Sequence, residues 1–163
     1  MEWLATSVDD DFPERDFYLC PSNSLDEVVD KITPRTPYFG FFVLMDARGV
    51  ADDSIKESAK KLLAKGLVCL CAWGPDCERV HDLFDAADDE IHPCSTYEDF
   101  VMTTWQSRDT LEEALWYFVR CGMISDKYEM KCKDWIIAPI ENPEWEQEVR
   151  SKISKVNAIS EDD

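Results

Sequence analysis

Three almost wholly apolar runs constrain this chain more than anything else in it: YFGFFVLMDA at 38–47, LVCLCAW at 67–73 and DWIIAPI at 134–140. None alternates apolar with polar, as a strand with one wet face would. Short runs of this kind suit strands buried on both faces, and such strands belong to parallel sheets covered by helices above and below. FYLC at 17–20 and FVMTTW at 100–105 are shorter strand candidates, rich in aromatic or β-branched residues.

Between these runs the apolar period changes to that of a helix. Ser24-Leu-Asp-Glu27 has the form of a capping box, and Leu25, Val28, Val29 and Ile32 follow on one face. The prolines of TPRTP at 33–37 end that helix. Ile55, Ala59, Leu62 and Leu63 mark a second helix, stopped at Gly66. Asp76 stands where an N-cap belongs, ahead of Val80, Leu83, Phe84 and Ala87. Asp109-x-x-Glu112 reads as another capping box, heading Leu111, Ala114, Leu115, Phe118 and Val119. In the last helix Asn142 caps, Pro143 takes the first position, and Trp145, Val149, Ile153 and Val156 face inward. The segment 121–133 is read only as a connection.

Strand and helix alternate about five times. That order predicts a single α/β domain over 1–163: a three-layer α/β/α sandwich with a mostly parallel sheet of about five strands, flavodoxin-like or Rossmann-like. Residues 1–12 and 157–163 are expected to be peripheral or frayed.

Charge narrows the partners. The chain carries 17 basic and 35 acidic residues, a net charge of −18. That field repels phosphate backbones and anionic membrane surfaces, and it speeds association with a basic protein. The acid is unevenly spread: residues 71–100 hold nine acids and one base, whereas 37–70 and 101–140 are nearly neutral. The start of the chain lacks a charged-then-apolar leader, and no apolar run approaches twenty residues. Seven cysteines, an odd number, three of them within apolar runs, suit unpaired thiols in a reducing cytoplasm.

Ligands of open α/β sheets bind beyond the carboxyl ends of the strands. The loops there would carry Asp46, Arg48, Asp52 and Asp53; Trp73 to Cys77; Trp105 to Asp109; and Pro139 to Asn142. Three chemistries compete for them. A thiol site would place Cys77 in the first turn of a helix, with His81 one turn on as base. Against it, Asp76 and Glu78 flank the sulfur, and no glycine pair forms an oxyanion pocket. A metal site could draw on Cys77, His81, His92 and Cys94, although no tight Cys-x-x-Cys pair anchors it. A hard cation could sit among Asp46, Asp52 and Asp53, which can equally cap the helix that starts there.

The third is a docking surface of Trp73, Asp76, Glu78, Asp82, Asp85, Trp105, Gln106, Arg108 and Asp109, where aromatic anchors stand among charges. Dinucleotide, phosphate-loop and nucleophile-elbow motifs are missing from the sequence, and no cofactor is implied. Together, CAWGPDCERVHDLFD (71–85) and TTWQSRDTLEEALWYF (103–118) resemble a small bacterial domain-of-unknown-function family of similar length. The resemblance implies a bacterial-type cytoplasmic α/β protein and assigns no activity. The expectation is therefore an acidic cytoplasmic protein-binding module of the immunity or inhibitor kind, docking on a basic toxin or defence component. A small enzyme using Cys77 and His81, or a carboxylate-bound metal, is the alternative.

Overall fold

The structure, a computed structural model, describes residues 1–8 and 12–158. Six strands run through the described residues: β1 (Glu2–Thr6), β2 (Asp16–Leu19), β3 (Phe39–Leu44), β4 (Leu67–Trp73), β5 (Met102–Trp105) and β6 (Asp134–Pro139). The helices are α1 (Leu25–Lys31), α2 (Asp52–Ala64), α3 (Cys77–Ile91), α4 (Leu111–Cys121), the single turn α5 (Asp126–Glu129) and α6 (Pro143–Ala158). The strands form one sheet in the order β1-β2-β6-β3-β4-β5, parallel throughout except where β1 meets β2.

The apolar runs are continuous because both faces of their strands are covered. Phe41, Val43, Leu70, Ala72, Ile136 and Ala138 pack beneath α1, α2 and α3. Their chain neighbours Phe42, Leu44, Cys69, Cys71, Trp135 and Ile137 pack beneath α4 and α6. This is the three-layer α/β/α sandwich expected from the sequence. Its winding follows from crossover handedness. Connections β2-α1-β3, β3-α2-β4 and β4-α3-β5 advance along the sheet on one face. The return through α4 runs on the other and inserts β6 between β2 and β3.

Two glycines allow close approaches this packing needs. Gly40 faces Trp135 on the neighbouring strand, and a Cβ there would stand 2.4 Å from the indole. Gly74, at φ 114°, lets the turn after β4 pass against the carbonyl of Met45.

Several local expectations change. Residues 9–11 lie outside the described residues, while residues 2–6 at the start of the chain are peripheral but ordered: β1 pairs antiparallel with β2 and supplies a sixth strand at the edge of the sheet. Its exposed Glu2 and Trp3 left no apolar pattern to read. At the other end α6 runs on through 158, and the Asn157 amide is buried and donates to the carbonyl of Thr6 at 2.7 Å; residues 159–163 lie outside the described residues. The box before α4 sits one residue later than expected. Thr110 accepts from the N–H of Glu113, whose carboxylate accepts from the N–H of Thr110. Asp76 holds the N-cap position of α3 as expected, but at φ 64° it is left-handed and its side chain makes no capping bond; its carboxylate accepts from Arg79 Nε at 2.7 Å instead.

Candidate functional site

Because β2 to β6 are parallel, their carboxyl ends open at one edge of the sheet. The helix after β6 lies on the opposite face from those after β2 and β3. That divergence opens a cleft of about 360 Å³, lined by Asn23, Asp26, Asp46, Ser54, Glu141 and Trp145 among others. Its polar groups are largely committed within the protein. Asp46 holds Arg48 at 2.6 Å, and Asn142 Oδ1 accepts from the N–H groups of Glu144 and Trp145 at 3.1 Å each.

Farther along the edge, the residues proposed for a thiol site separate. Cys77 begins α3 but is buried, and burial pushes its thiol up from the usual range. His81 is held by other groups. Its Nδ1 lies 2.9 Å from Asp82 and its Nε2 3.1 Å from the Thr103 hydroxyl, so both ring nitrogens are taken. The metal set separates too. Cys77 and His92 stand at opposite ends of α3, about 22 Å apart at 1.5 Å per residue. His92 bonds Asp88 at 2.7 Å and, with Cys94, borders a recess of about 480 Å³ at the amino-terminal edge of the sheet. Asp52 is bound by Arg79 at 2.6 Å while Asp46 holds Arg48, so these carboxylates do not converge. Among the described residues no cluster of three metal-ligating side chains forms.

The residues expected from the sequence to dock a partner divide into a latch and a surface. Trp73 belongs to the latch. Half-buried, it packs edge-on against Trp145 with centroids 5.2 Å apart, and its Nε1–H donates to the carbonyl of Asp109 at 2.9 Å. Asp76 is another part, since its partner Arg79 also donates to the carbonyls of Val50 and Ala47. These contacts hold the loops after β3, β4 and β5 in place.

The surface is built where α3 overlies β5, the last strand of the sheet. Trp105 is 39% exposed, and its ring rests on His81 with centroids 4.4 Å apart. The Thr103 hydroxyl donates to Asp85 at 2.5 Å. Glu78, Asp82 and Asp85 are all exposed on α3, and Arg108 is exposed in the loop beyond Trp105. The N–H of Gln106 is spent on Ala72 at 3.0 Å, which continues the strand pairing past β5. Of the two tryptophans expected on a docking surface, Trp105 is thus exposed and Trp73 half-buried. Another exposed tryptophan, Trp116, borders a groove of about 600 Å³ with Asp109, Glu112 and Glu113. Its position opposite the inward face of α4 could have been counted off the helical period, which places Leu115 and Phe118 inward.

A family model described as a domain of unknown function, DUF7684, matches residues 17–156 of the chain. No curated protein matches it.

Proposed function

The chain belongs to the family Domain of unknown function (DUF7684), which assigns no activity, and from its surface we propose an acidic protein-binding module. In this reading it acts in the cytoplasm as an immunity or inhibitor protein, docking on a basic partner such as a toxin or another defence component. One observation carries the reading. Trp105 is presented at the open end of the sheet, braced by His81 and bordered by the carboxylates of Asp82 and Asp85. A preformed aromatic anchor costs little ordering entropy on binding, and the surrounding charge steers a basic partner to it.

The catalytic alternative has less support, because Cys77 is buried and His81 engages other groups. The test is affinity capture at about 50 mM and about 500 mM salt, with Trp105→Ala in parallel, since ionic strength screens exposed pairs. The partner should be basic, be lost at high salt, and bind Trp105→Ala about thirtyfold or more weakly, as expected for a hot-spot aromatic. A partner held equally at both salts, or equally by the variant, rules the reading out.

A further inference from the structure

We infer that the partner presents an extended segment with lysine or arginine at alternate positions, which joins the sheet as an added strand on the outer edge of β5. This deepens the docking proposal and rests on it. The N–H of Gln106 donates to the carbonyl of Ala72 at 3.0 Å. In a parallel ladder residues alternate in direction, so Met102 and Thr104, like Gln106, turn their backbone groups toward β4. Thr103 and Trp105 turn theirs outward, where no strand of the described residues lies. An unpaired row of this kind is a template for another chain, and strand addition is an established way for proteins to hold extended peptides.

The side chains of those two residues lie on the α3 side of the sheet, Thr103 against Asp85 and Trp105 against His81. α3 therefore runs beside the open edge. Along it Glu78, Asp82, Asp85 and Asp89 recur at helical spacing in one exposed stripe. Successive members rise about 4.5–6 Å along the helix axis, while same-face side chains of a strand recur about every 6.6–6.8 Å. Every second residue of an added strand thus meets roughly one turn of the stripe. The stripe spans about 16 Å, enough for about five strand residues.

Sign selects the occupant. A second copy pairing through β5 would bring an identical stripe against this one, and the like charges would repel. Lysine or arginine at alternate positions gives the opposite result, and an arginine among them can also stack on Trp105.

Two peptides of identical composition provide the test: Val-Lys-Val-Lys-Val-Lys-Val, and Lys-Lys-Lys-Val-Val-Val-Val as the blocked control. The alternating peptide should bind about tenfold more tightly at low salt and slow hydrogen exchange at the Thr103 and Trp105 amides. Thr103→Pro removes the outward N–H and should abolish that preference, whereas Thr103→Val, which loses only the hydroxyl, should keep it. Equal binding of the two peptides, with no protection of those amides, overturns strand addition and leaves the acidic docking reading standing. Failure of both peptides and of any basic partner to bind at low salt removes both proposals. A concentration-dependent dimer abolished by Thr103→Pro would assign the edge to a second copy and overturn the basic occupant. The exchange measurement on the unaltered protein decides the matter even if Thr103→Pro does not fold.

Discussion

The thiols show how strongly a residue's surroundings override its position in the sequence. Cys77 holds the first place in α3, where the helix dipole and free N–H groups favour a thiolate. The dipole contributes about 1 kcal/mol at most in exposed settings, and burial outweighs it, so the thiol moves up. Burial pushes Cys69 and Cys132 up to about 12. Iodoacetamide at about pH 8 should therefore label exposed Cys94 first and half-buried Cys121 more slowly. The five buried cysteines should lag by about a hundredfold or more, until the fold opens. Peptide mapping reads the order directly. Rapid selective labelling of Cys77 would restore the thiol-enzyme alternative.

At the scale of elements, two carboxylates tie neighbouring helices together. Glu90 of α3 pairs with Lys56 and Lys60 of α2, and Glu112 of α4 pairs with Lys152 and Lys155 of α6 at 2.5 Å each. Hydrogen bonds from those lysines lower each carboxyl from the usual 4.5 to about 2. A carboxyl whose pKa is depressed by folding stabilises the folded state above its unfolded pKa. That contribution is lost as pH falls through the folded value. These ties should thus be fully present above pH 4.5 and disappear toward about pH 2. Thermal unfolding followed against pH checks this, and Glu112→Gln should flatten part of the acid-side slope. An unchanged slope in Glu112→Gln would show that this tie contributes nothing. The same elements show where local reading succeeds. The Ser24 and Asn142 caps were legible because a cap needs only its own next three residues. Asp109 and Thr110 are both good caps side by side, so the register before α4 depended on which residue the preceding loop placed at the helix start.

Across the whole molecule, the net charge of −18 sets a field that local pairs do not cancel. Self-repulsion weakens compact states, and screening relieves it. Raising salt from about 10 mM to about 300 mM should therefore increase Tm, by about 2–4 °C for each kcal/mol of repulsion removed in a domain of this size. A fall in Tm would mean that the surface ion pairs outweigh the long-range field.

The layers were legible because a strand covered on both faces must be apolar at nearly every position, and a helix lying on it must be apolar on one stripe. The acid concentrated in 71–100 could be counted directly. Three things could not be read. β1 is an edge strand with exposed residues and carries no periodic signal. The insertion of β6 between β2 and β3 is a contact between segments far apart in the chain, and no local pattern encodes it. The different uses of Trp73 and Trp105 had the same cause, for both end a strand and only the tertiary packing decides which is covered. The sequence by itself determined the five parallel strands and the five longer helices, though not β1 or α5, since propensity and apolar period act over a few residues. Only the tertiary structure decided that Trp73 would lock loops together, that Cys77 would be buried, and that Trp105 would stand at an open edge beside an acidic helix. Those outcomes depend on which distant strand ends up beside which.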